Sequence, residues 1–329
     1  MFFITMMSGS IMTISSTSWI FAWIGLEINL LSFLPLMKSF KNKYSTEAML
    51  KYFIIQALAS SLVLTATLLF LNFKLLMSNL PLIPSFFMNS ALLMKMGAAP
   101  FHFWLPEVTS GCSWIITLLI LTWQKIAPMI LMIYSNPSNF LLIFIILISS
   151  IIGGISGMNQ TCLRKILTYS SINHISWMLA ASMISLSNWI LYFLIYSIIN
   201  LTLIIFFNSN NIFFITQLTK IMNDNKLNKL IFSINFLSLG GLPPFLGFLP
   251  KWVTIYSLSL TQMFFLTTIL ILSTLISLFM YIRVIFSSTI LISSESFITN
   301  KMSIYMKIPI LLMNLSIFSL MIFLVIPLN

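Results

Sequence analysis

Long apolar segments, separated by short polar stretches, recur along the whole chain. A helix that crosses a bilayer needs about 20 apolar residues, and the polar stretches divide this sequence into about eleven segments suited to that role. Only 6% of the residues are charged, whereas a soluble domain contains about 25% charged residues. The chain therefore lacks the polar surface of a soluble protein. The sequence predicts an all-α polytopic membrane protein.

Basic residues between the predicted spans follow a regular pattern. The spans cover residues 3–17, 18–37, 47–71, 86–110, 114–134, 140–158, 164–185, 189–208, 230–258, 263–286 and 308–326. Loops after odd-numbered spans contain only Lys74. Loops after even-numbered spans, together with the start of the seventh span that borders one of them, contain Lys38, Lys41, Lys43, Arg164, Lys165, Lys220, Lys226, Lys229, Lys301 and Lys307. Loops rich in Lys and Arg stay on the cytoplasmic or matrix side. The net charge of +11 thus reflects membrane topology rather than nucleic-acid binding. The distribution of basic residues among the loops places the N-terminus in the matrix or cytoplasm and the C-terminus on the opposite side.

Two of the predicted spans contain a similar interruption. The fourth includes SALLMKMGAAPFHFWLPE (Ser90 to Glu107), and the ninth includes GGLPPFLGFLPK (Gly240 to Lys251). When the two segments are aligned without gaps, Pro100 falls on Pro244 and Glu107 falls on Lys251. Proline has no amide hydrogen to continue the hydrogen bonds of a helix. Both spans are therefore predicted to be discontinuous.

The spacing of the interrupted helices predicts an internal repeat. They are the fourth and the ninth spans, as expected if helices one to five and six to ten are equivalent units. Units with an odd number of spans enter the membrane from opposite sides, as in the inverted repeats of many transporters. We expect residues 1–136 to form the first five-helix repeat and 137–290 the second, inverted one. Residues 291–329 are expected to form a connecting loop and a C-terminal transmembrane helix.

Four charged residues fall near the centres of predicted spans. They are Glu27, Lys95, Lys125 and Lys251. A charged residue at the centre of a spanning helix costs about 2.5–3.5 kcal/mol on insertion scales, so such residues usually face each other or a hydrated path. A static ion pair, or a lysine that extends to the interface, is the alternative interpretation. Because all four residues lie near the centres of their spans, we favour a functional role for them over a static one.

The chemistry of these residues suits proton movement. Removal from water favours the neutral form of a lysine, whereas a nearby carboxylate favours the ammonium. A lysine can therefore change its charge as its partner approaches or withdraws. Glu27 is the acidic residue at mid-span, which makes it the natural partner of Lys95 or Lys125. Interrupted helices add free backbone amides and carbonyls that can bind water.

The remaining polar residues limit the chemistry of the chain. His174, in SSINHISWM, is either a proton relay between the two halves or a hydrogen-bonded packing residue. Cys112 and Cys162 form neither a disulfide framework nor a metal cluster. Two histidines are too few for the haem or copper sites of a cytochrome b or an oxidase. The sequence also contains no phosphate-binding glycine loop, Rossmann fingerprint or CxxC pair.

Six ordered segments resemble a known family across almost the whole chain. They are WIGLEINLLSFLP, STEAMLKYF, KMGAAPFHFWLPE, LTWQKIAP, SSINHISWM and LGGLPPFLGFLPKW. They closely resemble the chain 2 family of mitochondrial NADH:ubiquinone oxidoreductase, respiratory complex I. The resemblance implies an antiporter-like, proton-translocating membrane subunit with two inverted five-helix repeats and broken helices.

The resemblance also implies roles for particular residues. Glu27 would be the family's glutamate and Lys95 the lysine paired with it. Lys125 would be the connecting lysine, Lys251 the lysine beside the second broken helix, and His174 a residue of the hydrophilic axis between the halves. All five are present in this sequence. The expected proton relay is therefore Glu27, Lys95, Lys125, His174 and Lys251.

The expected setting follows from the same resemblance. The chain would be a non-redox subunit of a proton-translocating NADH:ubiquinone reductase in the mitochondrial inner membrane, with its N-terminus in the matrix and its C-terminus in the intermembrane space. No cofactor or metal is expected in the chain itself; NAD, FMN, iron–sulfur clusters and ubiquinone are expected on other subunits. The expected partners are the other membrane subunits, lipids, water and protons, but not nucleic acid. A stand-alone cation/proton antiporter and a purely structural membrane subunit are the alternatives.

Overall fold

The computed structural model describes residues 1–39, 42–75, 82–135, 137–221 and 226–289. In these ranges the regular secondary structure is helical, apart from one isolated antiparallel bridge between Cys162 and Phe214. The described helices are α1 (Phe2–Ser15), α2 (Trp19–Met37), α3 (Lys43–Leu75), α4 (Leu82–Met96), α5 (Trp104–Gly111), α6 (Trp114–Leu121), α7 (Trp123–Tyr134), α8 (Asn139–Gly157), α9 (Leu163–Ser182), α10 (Leu186–Asn210), α11 (Ile215–Ile221), α12 (Lys226–Gly240), α13 (Phe248–Leu260) and α14 (Phe264–Thr289). The all-α prediction is confirmed for this part of the chain. The predicted span at 308–326 lies outside it.

Six of the described segments are long and apolar enough to cross a membrane. They are Trp19–Met37, Lys43–Phe70, Trp114–Tyr134, Asn139–Gly157, Leu186–Asn210 and Phe264–Ser287. Helix α1 has 14 residues and is about 21 Å long at 1.5 Å per residue, shorter than the roughly 30 Å of a bilayer core. The chain is thus a multi-pass membrane protein. The count of eleven spans and the inverted-repeat layout remain predictions.

Both predicted interruptions are present. Helix α4 ends at Met96 and α5 begins at Trp104; helix α12 ends at Gly240 and α13 begins at Phe248. The corresponding helix bounds have a constant separation. The pairs Leu82 and Lys226, Met96 and Gly240, and Trp104 and Phe248 are each 144 residues apart. The two interrupted helices therefore have the same local plan.

A glycine in the left-handed region ends the first half of each interrupted helix. Gly97 has φ 74° and Gly241 has φ 77°. The amides of Gly97 and Ala98 both donate to the Leu93 carbonyl, at 3.0 and 3.1 Å. In the second helix, the amides of Gly241 and its successor donate to one carbonyl, at 3.1 and 3.3 Å. Glycine is the usual residue for this helix end because it has no Cβ to clash.

The fifth predicted span, 114–134, is not one continuous helix. Trp114–Tyr134 is long and apolar enough to cross a membrane, as predicted, but helix α6 ends at Leu121 and α7 begins at Trp123, a break that the sequence did not indicate. The hydroxyl of Thr122 donates to the Leu118 carbonyl at 2.7 Å, and threonine bonds of this kind often bend helices. The segment between the predicted spans 189–208 and 230–258 is also partly helical, since it contains α11 and the start of α12.

The chain forms two compact units, Met1–Ile145 and a second unit that begins at Ile146. The first contains α1 to α7. The second contains α9 to α14, and α9 is buried along most of its 20 residues, polar positions included. Helix α8 includes the division between the units. A repeat boundary between residues 136 and 137 remains a prediction.

Small residues bring α1 and α2 close together. A Cβ atom at Gly25 would lie 2.6 Å from Thr13 Cγ2 and 3.0 Å from the Gly9 carbonyl oxygen. Small residues at such crossings let helix backbones approach closely in membranes. This contact fixes α2, which contains Glu27, against α1.

We expect Gly25→Ala to weaken the packing of α1 on α2. The added methyl group would overlap Thr13 and the Gly9 backbone, and overpacking of this kind costs about 1–3 kcal/mol. The thermal midpoint for dissociation of the assembled complex should therefore fall. Leu31→Ala is the control, because Leu31 lies on the same helix and is 60% exposed. An unchanged midpoint for Gly25→Ala would show that α1 does not hold α2.

Candidate functional site

Lys95 is buried in the last turn of α4, just before the interruption. Its exposed fraction is 6%. The C-terminal end of a helix has a partial negative charge that favours a cation. The carboxylate of Glu27, half-buried on α2, acts on the Lys95 ammonium through Coulombic attraction. The structure thus brings these two predicted residues within electrostatic range of each other.

An exposed ion pair in the described part of the chain joins two other residues. Lys51 Nζ lies 2.5 Å from Glu107 Oε2, and both side chains are about half exposed. Glu107 aligns with Lys251 in the sequence comparison of the two interrupted helices. The two matching positions therefore differ: Glu107 forms an exposed ion pair, whereas Lys251 is buried.

Two side chains donate hydrogen bonds to carbonyl groups at the end of α4. Gln56 Nε2 donates to the Lys95 carbonyl at 3.4 Å, and Trp104 Nε1 donates to the Met94 carbonyl at 3.2 Å. The last four carbonyls of a helix have no partner within the helix. Gln56 could not be identified from the sequence, because no residue near it indicates contact with a segment 39 residues further along the chain.

Lys125 lies in the first turn of α7, directly after the break at Thr122. Its exposed fraction is 1%. Its backbone amide donates to the Thr122 carbonyl at 3.2 Å. Helix α7 packs against α4, the helix that contains Lys95. The first unit therefore contains three of the predicted charges, on α2, α4 and α7.

In the second unit, Lys251 spans the interruption between α12 and α13. It lies in the first turn of α13 and is 6% exposed. Its Nζ atom donates to the carbonyls of Gly240, at 2.9 Å, and Leu239, at 3.3 Å. These are the last carbonyls of α12, so the ammonium stabilises the negative end of that helix. This contact depends on the local backbone, since Gly241 has no side chain to block it.

We expect Gly241→Ala to displace Lys251. The new Cβ would lie 2.8 Å from both Cδ and Nζ of the lysine, and a non-glycine residue in this backbone region costs about 1–3 kcal/mol. Proton translocation by the assembled complex should fall, as measured in proteoliposomes. Gly240→Ala is the matched control, because a Cβ there meets its nearest neighbour at 3.6 Å. Equal translocation in the two variants would show that the position of Lys251 is not critical.

His174 is part of a buried polar cluster around α9. Its Nδ1 atom lies 2.9 Å from the Tyr192 hydroxyl, and its ring centroid lies 5.0 Å from that of Tyr196. The neighbouring Asn173 donates from Nδ2 to the Ser277 hydroxyl at 3.1 Å. Helix α9 packs against α13, the helix that contains Lys251. These contacts fit both interpretations of His174, a proton relay and a packing residue, equally well. Neither Tyr192 nor Tyr196 could be identified from the sequence.

Metal-ligand clusters do not occur among the described side chains: no group of three or more His, Cys, Asp or Glu residues there is close enough to hold an ion. Neither Cys112 nor Cys162 forms a disulfide bond with another described residue.

Comparison with known proteins identifies the family of the chain. Residues 16–277 match the family model described as "NADH:quinone oxidoreductase/Mrp antiporter, TM". NADH-ubiquinone oxidoreductase chain 2 of Anopheles gambiae is 48% identical over 272 residues, which are 82% of this chain and 79% of that protein. The corresponding chain of Ovis aries is 40% identical over 270 residues, or 80% of this chain and 78% of that one.

Solved structures show the same fold at low sequence identity. A chain of respiratory complex I from Thermus thermophilus with bound Aureothin has a TM-score of 0.84 at 20% identity, over 97% of this chain and 77% of that chain. A chain of the Mrp complex from Dietzia sp. has a TM-score of 0.80 at 16% identity, over 90% and 61%. Family model, curated relatives and fold agree: this chain belongs to the NADH-ubiquinone oxidoreductase chain 2 family, within the NADH:quinone oxidoreductase/Mrp antiporter transmembrane proteins.

Proposed function

We propose that this chain is an antiporter-like, proton-translocating membrane subunit of respiratory complex I. The observation that supports this most directly is the burial of three lysines beside interruptions in the membrane helices. Lys95, Lys125 and Lys251 are 6%, 1% and 6% exposed. Ionisable residues inside membrane segments usually mark ion or proton paths, because burying a charge there without a function is costly.

The proposed mechanism uses Coulombic coupling between these groups. Two unit charges about 4 Å apart interact by about 4 kcal/mol at an effective dielectric constant near 20. A change of 1.36 kcal/mol alters proton affinity about tenfold. A change in the distance between Glu27 and Lys95 can therefore load or unload Lys95, and through it Lys125. His174 and Lys251 would continue the path in the second unit.

The energy for this transport would come from other subunits. NADH oxidation and ubiquinone reduction, with FMN and iron–sulfur clusters, would take place there, and this chain would serve as a non-redox subunit of the mitochondrial inner membrane. Its partners would be the neighbouring membrane subunits and lipids. The basic loops favour an N-terminus in the matrix and a C-terminus in the intermembrane space. The constant 144-residue separation of the interrupted helices supports two inverted repeats.

The curated relatives favour this role over the two alternatives. Their names are those of an oxidoreductase chain, which argues against a self-sufficient antiporter. The similarity to the Mrp complex is below 25% identity and concerns the fold alone. A purely structural subunit would not need lysines buried on α4, α7 and α13.

The test is Lys95→Met in the assembled complex, reconstituted into liposomes. Methionine has a similar shape but no charge, so fewer protons should be translocated per NADH oxidised. NADH oxidation itself should continue when the membrane is made permeable to protons. Lys51→Met is the control, because that lysine is 51% exposed and its ion pair lies at the surface. An unchanged ratio in Lys95→Met would contradict the proposal.

A further inference from the structure

A small cavity lies beside Lys95 in the first unit. Its volume is about 10 Å³, which is close to the smallest volume that holds one water molecule. Its lining residues include the polar side chains of Asn29, Gln56 and Gln124, together with Lys95. A water molecule also needs two to four polar partners. The polar residues that line this cavity can supply these partners inside a bundle of membrane helices.

Asn29 and Gln124 form a reciprocal amide pair at the cavity. Asn29 Nδ2 donates to Gln124 Oε1 at 2.9 Å, and Gln124 Nε2 donates to Asn29 Oδ1 at 3.1 Å. Each amide oxygen retains a second lone pair and each amide nitrogen a second hydrogen. The pair joins α2 to α7, and thus the helix of Glu27 to the helix of Lys125. The remaining lone pairs and amide hydrogens of the pair are available for hydrogen bonds to a third polar group.

The Lys95 ammonium has hydrogen bonds still to make. An ammonium has three donors, and none of the described residues accepts a hydrogen bond from Nζ; its attraction to Glu27 is Coulombic. Pro128 also lines the cavity. Since proline has no amide hydrogen, it leaves the Gln124 backbone carbonyl without its usual helical donor. The site therefore combines an ammonium in need of acceptors with several oxygen acceptors.

We propose that Asn29 and Gln124 are positioning residues that hold one water molecule against Lys95 Nζ. The water accepts a hydrogen bond from the ammonium and donates to an oxygen of the amide pair. It gives the charged form of Lys95 a partner that Glu27 does not supply by direct contact. The amide pair also fixes α2 against α7, so the water site depends on the spacing between the helices of Glu27 and Lys125. The expected effect on proton translocation rests on the proposed function, whereas the water site itself does not.

The test combines a density map of the assembled complex with the number of protons translocated per NADH. The unaltered complex should show one water peak about 2.7–3.2 Å from Lys95 Nζ and from an amide oxygen. Gln124→Leu should remove this peak and lower the proton ratio at least twofold. The double variant Asn29→Gln with Gln124→Asn keeps two amides and should restore most of the ratio. Asn89→Leu is the control, because it removes a different buried amide contact of α4, the 2.6 Å bond from the Ser135 hydroxyl.

The outcomes separate this inference from the proposed function. Absence of the water peak in the unaltered complex would overturn the inference. So would a normal ratio in Gln124→Leu alongside a reduced ratio in Lys95→Met, and in that case the proposed function would stand. A normal ratio in Lys95→Met would instead contradict the proposed function, and the density map alone would then decide the water site. If Gln124→Leu does not assemble, the map of the unaltered complex and the double variant give the answer.

Discussion

Lys251→Met should slow proton transfer through this chain by about 10²-fold or more, the usual loss when a positioned acid–base group is removed. The ammonium of Lys251 donates to the carbonyls of Gly240 and Leu239 across the interruption between α12 and α13. Methionine cannot donate a hydrogen bond or hold a proton. The proton path of the second unit would therefore end at this position, and the assembled complex should translocate fewer protons per NADH.

Stability should change less than transport in Lys251→Met. Two carbonyls lose a donor, and a buried group left without its partner costs about 1–3 kcal/mol. The burial cost of the charge is removed at the same time. Lys43→Met is the control, since Lys43 is exposed at the start of α3. If Lys251→Met assembles and keeps the normal number of protons translocated per NADH, the role of Lys251 is limited to hydrogen bonding with the last carbonyls of α12.

Glu27→Gln should have the second largest effect. The substitution preserves the shape of the side chain but removes the carboxylate that attracts the Lys95 ammonium. Lys95 would then lose the acidic group that favours its charged form, and the switch between charged and neutral amine would stop. Proton translocation per NADH should fall severalfold, measured with reconstituted complex at constant NADH oxidation.

Two further variants define the role of Glu27. Glu27→Asp keeps the charge on a shorter side chain and should retain part of the translocation. Glu47→Gln removes an exposed carboxylate on α3 and should have no effect. The coupling between Glu27 and Lys95 is ruled out if Glu27→Gln translocates normally, or if Glu27→Asp and Glu27→Gln lose equal amounts.

The interrupted helices were predictable from sequence because their cause is local. Pro100 and Pro244 cannot continue a helix, and Gly97 and Gly241 allow the left-handed turn that ends each first half. Burial of the lysines was predictable as well, because each of them lies inside a long, mostly apolar segment. In each case the signal lies within a few residues of the feature.

The contacts that complete the site were not predictable in the same way. The Asn29–Gln124 pair joins residues 95 positions apart, and Tyr192 meets His174 across two helices. Periodicity within one helix does not determine which polar residue of another helix will face it. The break at Thr122 was missed for a different reason, since threonine is compatible with a helix and its hydroxyl bond to the backbone depends on the rotamer.

The most direct test of the account removes all four central charges at once. Glu27→Gln, Lys95→Met, Lys125→Met and Lys251→Met would be combined in one chain, and protons translocated per NADH would be measured in the assembled complex. Replacing buried charges with neutral residues of similar shape is often tolerated, so assembly can be preserved while the proton path is lost. The number of protons translocated per NADH should fall, while NADH oxidation is maintained under uncoupled conditions. A fully assembled variant that translocates the normal number of protons per NADH would show that these four residues have only a structural role.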